Sequence, residues 1–273
     1  MAEVQLPPDQ IGRWNRYKIP HPQSGREVEW TRCTTLTKTL DDMTGIHKAQ
    51  MRDVVLGIAA REDLYALACA TDGDDGRQLG ELVDKARAAA RADAKSHIGT
   101  ALHKFTERVD TGKPTRAPDV FGESVNAYKD ALMANGLEMD VTLIERITVV
   151  PELVVAGTFD RVVRIGGRRY IGDLKTGQSL DKAWMSIAMQ LGVYSRGVAL
   201  WDKDRRQFDP MPEVDQRNGV VIHLPSGGTT CTLYWVDIAT GWEAAKVAYK
   251  VREWRKRSDF AKPFEKRKEG EAA

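Results

Sequence analysis

The sequence predicts a mixed α/β fold in which a sheet is flanked by helices and preceded by a helical N-terminal extension. Helical periodicity fills most of residues 41–135, and short apolar segments with strand character follow within residues 137–175. A helical segment, two further strands and a last helix come after them. Long helical patterns that alternate with short apolar runs are typical of sheets covered by helices.

The N-terminal half is predicted to be mainly helical. Residues 14–29 are expected to form irregular structure with short strands, and the β-branched residues 31–40 lead from a strand towards a helix start. The last helix of this half should end at Gly136, since glycine is a common C-cap. Helices are predicted over residues 41–70, 78–109 and 121–135.

The C-terminal half is predicted to hold the sheet, with three strands over residues 137–175. An apolar run through Asp160 reaches Gly166-Gly167, a strong hairpin signal, and residues 168–175 return from it. The remaining segments are predicted as helices over 180–200 and 239–256, a polar loop over 201–212, and strands over 219–224 and 231–236.

The returning strand carries the most informative side chains. Alternation places Asp173 and Lys175 on one face and sends Leu174 into the core. Asp160 and Asp173, on neighbouring strands, would repel each other, and a hard divalent cation such as Mg²⁺ or Mn²⁺ relieves that repulsion. Lys175 would add positive charge for a phosphate. Asp-x-Lys alone is also common on surface strands, so these residues need support from elsewhere.

Two helices offer that support. Gly99 and His103 are four residues apart and share a helix face, and neutral imidazole is a good metal ligand. Gln190 and Tyr194 have the same spacing and could hold a phosphate or a base edge. Each observation has a plain alternative: a helical histidine is often a core or surface residue, and Gln190 and Tyr194 could form the polar fringe of a packed helix.

Four motifs in this order resemble the RecB-like branch of the PD-(D/E)XK nuclease superfamily, which includes the CRISPR-associated exonucleases. They are Gly-x-x-x-His, Gly-x-x-Asp-Arg, Asp-x-Lys-Thr-Gly and Gln-x-x-x-Tyr, and they cover residues 97–194. The resemblance implies a restriction-endonuclease-like core, with a central mixed sheet flanked by helices, and metal-dependent cleavage of DNA. Phages commonly encode stand-alone proteins of this kind.

The resemblance also implies a ligand set. His103, Asp160 and Asp173 would bind one or two Mg²⁺ or Mn²⁺ ions, with the backbone carbonyl of Leu174 as a further ligand. Two alternatives stay open at this stage, because neither the number of ions nor the choice between Mg²⁺ and Mn²⁺ follows from the sequence.

Catalytic and nucleic-acid-binding roles follow from the same resemblance. Lys175 would orient or activate the attacking water, together with the acids Asp160 and Asp173. Glu145 occupies the place where relatives often carry a catalytic strand acid, but a surface pair with Arg146 or Arg164 explains it equally well. Contacts with nucleic acid are implied for four residues, Arg161, Thr176, Gln190 and Tyr194.

The cysteines separate the chain from the iron–sulfur subgroup of these nucleases. Cys33, Cys69 and Cys231 are far apart, form no Cys-x-x-Cys pair and are one short of the four thiolates that hold a cluster. We therefore predict no iron–sulfur cluster. Reduced thiols, buried or partly buried, are expected instead.

Composition is that of an ordinary globular protein, with 42% hydrophobic and 29% charged residues in 273. No apolar run reaches the ~20 residues of a membrane span, and the N-terminus lacks the pattern of a secretory leader. A cytoplasmic location, bacterial or in a phage-infected host, is expected. One domain is predicted over residues 1–256, with a helical part over 1–136 and a catalytic core over 137–256.

Basic residues crowd the C-terminal end although the net charge is only +2. Residues 257–273 are predicted to be a disordered basic tail that follows a nucleic-acid backbone; a solvated helix end with a diluted charge is an equal alternative. The basic residues are Arg252, Arg255, Lys256, Arg257, Lys262, Lys266, Arg267 and Lys268.

The function expected from these residues is hydrolysis of DNA, with an exonuclease of recombination or end processing favoured. A non-catalytic DNA-binding accessory module and a structure-specific endonuclease are the alternatives. DNA is the expected partner, and a recombinase, a single-strand-binding protein or a helicase could join it. The chain has no P-loop motif, so any coupled ATP hydrolysis would have to come from such a partner.

Overall fold

The computed structural model describes residues 6–90 and 94–264, and it has a mixed α/β architecture: a largely open mixed sheet flanked by helices. Its helices are α1 (Cys33–Thr37), α2 (Thr44–Ala59), α3 (Glu62–Ala70), α4 (Gly76–Ala89), α5 (Ala94–Asp110), α6 (Asp119–Ala134), α7 (Trp184–Tyr194) and α8 (Ile238–Arg255). Its strands are β1 (Tyr17–Pro20), β2 (Glu27–Arg32), β3 (Glu138–Val150), β4 (Val155–Ile165), β5 (Arg168–Lys175), β6 (Ala199–Asp202), β7 (Gln207–Pro210), β8 (Asn218–His223) and β9 (Thr232–Asp237).

The sheet runs in the order β7-β6-β3-β4-β5-β8-β9. Strands β3, β4 and β5 form an antiparallel meander, and β5 then pairs in parallel with β8. The hairpin predicted at Gly166 and Gly167 is confirmed, since both residues have positive φ (+56° and +81°) between the paired Ile165 and Arg168. Strand β2 lies parallel to the first residues of β4, with β1 antiparallel beside it.

Two apolar cores cover the two faces of this sheet. On one face α1, α7 and α8 pack on β4 and β5 through side chains such as Leu36, Phe159 and Leu191. On the other face α5 and α6 pack through Leu102 and Tyr128. A functional side chain on the central strands therefore has to lie where one of these layers leaves an opening.

The N-terminal helices differ from the prediction in their breaks. Residues 41–70 form two helices, α2 and α3, because Arg61 adopts an extended conformation between them. The single helix predicted over 78–109 is also divided: α4 ends with Ala90 as its C-cap and α5 begins at Ala94, with residues 91–93 outside the described part of the chain. Helices α2, α3 and α4 pack around Leu64, Leu82 and Ala86.

The C-terminal half agrees with the prediction except around α7. The helix predicted over residues 180–200 is shorter, since α7 spans Trp184–Tyr194 and residues 199–200 belong to β6. The helix end predicted at Gly136 is confirmed, since Gly136 has a positive φ (+58°) directly after Asn135, the C-cap of α6. Strands β8 and β9 and helix α8 occupy the predicted segments. The polar loop predicted over residues 201–212 is wrong, because β6 and β7 form a hairpin there. Trp201 is buried and packs on its cross-strand partner Phe208, with ring centroids 4.9 Å apart, which outweighs the polar sequence around them.

Among the described residues, no helix combines the length and the apolar character that a membrane span requires. Residues 257–264 of the basic tail lie outside helices and strands. Lys266, Arg267 and Lys268 fall beyond the described residues, so the disordered tail stays a prediction.

Candidate metal centre

The centre lies where β4 and β5 separate. The last pair of their ladder is Arg161 with Gly172, and beyond it β5 continues beside β8 alone. The next residues, Asp160 and Asp173, face this fork, and each is only 1% exposed. Asp160 Oδ2 accepts a hydrogen bond of 3.0 Å from the Leu174 amide. The divergence of two paired strands thus brings two buried carboxylates to one opening of the sheet.

Helix α5 brings His103 to the same place. The His103 ring nitrogen Nδ1 is 3.5 Å from Asp160 Oδ2, and the side chain is 5% exposed. Gly99, one turn earlier, allows this approach, since a Cβ there would lie 2.7 Å from Thr176 Oγ1 at the end of β5. The Gly-x-x-x-His motif therefore has a steric explanation: the glycine allows α5 to approach the end of β5, and this approach brings His103 close to Asp160.

Glu145 completes the group from β3. Its neighbours pair with Arg161 and Phe159, so the register places Glu145 level with Asp160. Glu145 has a positive φ of +50°, which is unusual for a side chain other than glycine and is a form of strain that clusters at functional sites. Single ligand atoms of His103, Glu145 and Asp160 all lie within 4.8 Å of one another.

The alternative partners of Glu145 are engaged elsewhere. Arg146 pairs with Asp209 at 2.6 Å, and Arg164 pairs with Asp140 at 3.2 Å. A surface ion pair with either arginine therefore does not explain why Glu145 turns towards Asp160.

Several buried polar atoms of the centre have no hydrogen-bond partner among the described residues. They are His103 Nδ1, Asp160 Oδ1 and both carboxylate oxygens of Asp173, although Asp173 Oδ2 has an ion pair. Buried groups of this kind are costly, and a cation is one partner that would satisfy them. An imidazole nitrogen with carboxylate oxygens suits Mg²⁺ or, better, Mn²⁺, so the donor set fits the metal that the resemblance implies.

Lys175 stands beside this group. Its Nζ lies 2.6 Å from Asp173 Oδ2 and 3.4 Å from Gln190 Oε1, and Gln190 Nε2 in turn donates to the Tyr194 hydroxyl at 3.3 Å. The predicted common face of Asp173 and Lys175 is confirmed by their ion pair, as is the buried position of Leu174 in the opposite core. Helix α7 therefore holds the amine in place from the face of the sheet to which Lys175 points, opposite to the core around Leu174.

The titratable groups of the centre have different pKa values because burial and neighbouring charges act on each of them differently. Burial raises the pKa of Glu145 to about 8, with the Asp160 carboxylate adding to the effect. Burial also raises the pKa of Asp173 to about 6, although Lys175 opposes it, and lowers the pKa of His103 to about 4 against the opposing effect of Asp160. Near neutral pH, His103 is uncharged and therefore able to bind a cation.

Asp160 and Lys175 keep their charges. Burial favours the neutral form of Asp160, but His103, Arg161 and Lys175 together with the Leu174 amide outweigh it and lower its pKa. Burial likewise disfavours the charged Lys175, but the carboxylates of Asp173 and Asp160 outweigh it and raise its pKa. The centre thus holds a charged carboxylate and a charged ammonium group at neutral pH.

The residues predicted to touch nucleic acid lie deeper than expected. Arg161, Gln190 and Tyr194 are 1%, 6% and 2% exposed, and only Thr176 is half-buried. Their contact with nucleic acid stays a prediction. In the structure Gln190 bonds to Lys175 and Tyr194, and Arg161 bonds to Asp110 and Tyr128. The role of Leu174 as a carbonyl ligand stays a prediction, while its amide binds Asp160.

The cysteines lie in different surroundings. Cys33 is buried and Cys231 partly buried, as predicted, but Cys69 is exposed, so the prediction is wrong for that residue. Burial raises the pKa of Cys33 to about 12, which leaves it a neutral thiol beside Tyr194.

Sequence reasoning missed the partners of Arg161. Asp110 lies seven residues after His103 on α5, on the same helix face, and this spacing was the available signal. Tyr128 on α6 has no comparable pattern.

No protein-family model matches the chain, and a search of curated proteins likewise finds no match.

Proposed function

We propose that this chain is a metal-dependent DNA nuclease with a restriction-endonuclease-like core, acting as an exonuclease in recombination or end processing. The observation that carries the proposal is the convergence of His103, Glu145 and Asp160 within 4.8 Å at a fork that also holds the Asp173–Lys175 pair. Cleavage of a phosphodiester needs positive charge near the phosphate and a proton acceptor near the attacking water. The side chains at this fork can supply both.

The ligand atoms of a divalent ion would come from His103, Glu145 and Asp160, with Asp173 as a further carboxylate. When bound, the ion supplies charge that draws in a phosphate and makes an attacking water easier to deprotonate. Glu145 would have to lose its proton to take part, since its pKa is about 8 in the protein alone.

Lys175 and Asp173 would act on the water and the phosphate. The ammonium group, held by Gln190, supplies positive charge for the phosphate oxygen that becomes more negative as the bond breaks. Asp173, with a pKa near 6, is ionised at neutral pH and is suited to accept a proton from water. Asp173 is buried and Lys175 is half-buried, and their ion pair orients both groups, which lowers the cost of reorganisation during the reaction.

The unsatisfied polar atoms favour catalysis over a non-catalytic DNA-binding module. A module without chemistry gains nothing from burying His103 Nδ1 and Asp160 Oδ1 without partners, and apolar replacements would pack at lower cost. The endonuclease alternative uses the same centre and is distinguished by substrate.

The test compares the full-length wild type with Asp173→Asn, a nearly isosteric change. Each protein is incubated with end-labelled linear DNA and with covalently closed circular DNA, in Mg²⁺, in Mn²⁺ or in EDTA. Asp204→Asn, an exposed acid on the turn between β6 and β7, is the matched control.

Metal-dependent loss of linear DNA by the wild type and by Asp204→Asn, but not by Asp173→Asn, is the expected result. Cutting of the circle would replace the exonuclease by an endonuclease with the same centre. Binding of DNA by all three proteins with no cutting under any condition would overturn the proposal in favour of the accessory module.

A further inference from the structure

Helix α5 carries a second set of polar side chains on the face that presents His103. Thr106 and Asp110 follow His103 at three and seven residues, a spacing that keeps all three on one side of a helix. Thr106 is 0% exposed, and so is the Asp110 side chain. Buried polar groups directly beyond a candidate ligand on the same helix call for an explanation.

These side chains meet Arg161, the residue that follows Asp160 on β4. Arg161 Nη1 donates to Asp110 Oδ2 at 2.7 Å and to the Tyr128 hydroxyl at 2.5 Å, and that hydroxyl donates to Asp110 Oδ1 at 2.6 Å. Arg161 Nη2 also reaches Thr106 Oγ1 at 3.5 Å. One guanidinium group thereby joins three elements: α5, α6 and β4.

The chemistry of this network suits it to fixing the relative positions of α5, α6 and β4 more than to stabilising the fold. A buried ion pair seldom adds net stability relative to apolar side chains of similar volume, because both charges lose their hydration. Directional bonds to a planar guanidinium do fix relative positions, however. A slip of α5 by a single residue would move each of its side chains ~1.5 Å along the axis and rotate it by ~100°, which would take His103 out of reach of Asp160.

We propose that Arg161, Asp110 and Tyr128 are positioning residues that set the distance between His103 on α5 and Asp160 on β4. Arg161 is the neighbour of one ligand in the chain, and Asp110 is fixed to the other through two turns of rigid helix. Their bond therefore acts as a clamp across the two elements that supply the centre. The proposal rests on the proposed function in one respect, namely that His103 and Asp160 bind a metal together.

The test uses Asp110→Asn in the full chain, with Asp140→Asn as the matched control. Asp140 is a similarly paired acid, bonded to Arg164 and Arg169 on the same sheet, but it lies outside the centre. Mn²⁺ affinity is measured by calorimetry, and the ring ¹⁵N signals of histidine are recorded without metal. Tyr128→Phe, which keeps the Asp110–Arg161 charge pair, serves as a milder variant if Asp110→Asn does not fold.

We expect Asp110→Asn to weaken Mn²⁺ binding about 10- to 100-fold, as changes to residues that orient metal ligands usually do. Tyr128→Phe should have a smaller effect in the same direction, and Asp140→Asn should have none. The ring signals of His103 should move in Asp110→Asn and Tyr128→Phe and stay in place in Asp140→Asn. His103→Asn should weaken binding less in the Asp110→Asn background than in the wild type, since the ring is already displaced.

Two outcomes separate the inference from the proposed function. If the wild type does not bind Mn²⁺ but the His103 signals still move selectively, the proposed function fails and the positioning role survives. If Asp110→Asn and Asp140→Asn change Mn²⁺ affinity and the His103 signals to the same extent, the network is merely structural and the inference is overturned.

Discussion

Asp160 and Leu174 are joined across the strand fork, where the Leu174 amide donates to Asp160 Oδ2 at 3.0 Å. The ladder between β4 and β5 ends with the pair of Arg161 and Gly172, two residues before Leu174, so this amide has no carbonyl of β4 to bind. The Asp160 carboxylate takes the place of that carbonyl. The same oxygen, Asp160 Oδ2, lies 3.5 Å from His103 Nδ1, and Asp160 Oδ1 is buried without a hydrogen bond.

The two duties of Asp160 can be separated by substitution. Asp160→Asn keeps an oxygen for the Leu174 amide, so we expect its stability without metal to stay within ~1 kcal/mol of the wild type. Asp160→Ala leaves the amide unpaired and should lose about 1–3 kcal/mol. We expect Mn²⁺ to raise the melting temperature of the wild type but of neither variant. Melting curves with and without Mn²⁺ check this, and equal stability of the two variants would show that the hydrogen bond contributes nothing.

Glu145 predicts a pH dependence of stability in the absence of metal. The pKa of Glu145 is raised from its ordinary value of 4.5, which applies in the unfolded chain, to about 8 in the folded protein. Between these pH values the folded state keeps a proton that the unfolded state has lost. Stability therefore falls as pH rises through this window, by an amount on the order of 3–5 kcal/mol for the whole shift. Glu145→Gln keeps the neutral form at every pH and should remove this dependence.

The window from about pH 6.5 to 8.5 separates the titration of Glu145 from those of His103 and Asp173, whose pKa values are about 4 and about 6. Urea midpoints measured in EDTA at both limits should fall for the wild type and change much less for Glu145→Gln. A wild type that is equally stable at both limits would contradict the raised pKa.

Lys175 is expected to serve turnover more than metal binding. Lys175→Met removes the charge but keeps most of the chain length, and Asp173 then loses its partner at 2.6 Å, so the pKa of Asp173 should rise further above its ordinary value. We expect kcat to fall ~100-fold or more, with the acid limb of the pH–rate profile moved to higher pH. Mn²⁺ affinity at pH 8 should change by no more than about threefold. A parallel loss of Mn²⁺ affinity and kcat would assign Lys175 to the metal site instead.

Gly157 tests the packing behind Lys175. A Cβ at this position would lie 2.8 Å from Tyr194 Cε1 and 2.9 Å from Cys33 Cβ, both in the buried core. Gly157→Ala should therefore cost about 1–3 kcal/mol through overpacking, and it should lower kcat because Tyr194 bonds to Gln190, which holds Lys175.

Gly122→Ala is the matched control for Gly157→Ala. Gly122 lies inside α6, and no atom stands within 4 Å of a Cβ added there, so we expect this change to stabilise the protein by about 0.5–1 kcal/mol. Urea midpoints measure both variants. Equal effects of the two substitutions would mean that the contact with Tyr194 is not tight.

The local sequence pattern was sufficient to predict the strands of the centre, but it did not predict which of its side chains are buried. Alternation along β5 predicted the shared face of Asp173 and Lys175, and the glycine pair predicted the hairpin, because both depend on residues adjacent in sequence. The burial of Arg161 depends on Asp110, 51 residues earlier, and on Tyr128 of another helix. A single sequence contains no signal for that pairing, so Arg161 was expected at the DNA instead.

The edge hairpin and the bend at Glu145 have similar explanations. Residues 207–210 are Gln-Phe-Asp-Pro, and only the packing of Phe208 on Trp201 makes them a strand. Glu145 sits in a run with ordinary strand character, and its positive φ comes at a position without a pair, between Ile144 and Arg146, which both pair with β4. Tertiary contacts thus decided the features that the sequence pattern left open.

The basic residues at the end of helix α8 differ in their partners, and this bears on nucleic-acid binding. Lys256 and Arg257 are paired with Glu253 and Asp259, whereas Arg252 is half-buried and faces other arginines. Burial, and then the charges of Arg16 and Arg255, lower its pKa. Arg16, Arg252 and Lys256 line one cavity of about 230 Å³ together with the acids Glu29 and Glu253. Three cationic side chains against two carboxylates leave a net positive charge, which favours an anion, and the phosphates of DNA would provide it.

We expect the double change Arg16→Ala, Arg252→Ala to weaken binding of duplex DNA and to reduce the slope of log affinity against log salt by roughly 1.8, since each lost phosphate contact removes about 0.9. Arg257→Ala is the control, because its guanidinium already pairs with Asp259. Fluorescence anisotropy over a series of salt concentrations measures both slopes. If the double variant and the control have the wild-type slope, these arginines form part of a solvated helix end, and the phosphate contacts must lie nearer the fork.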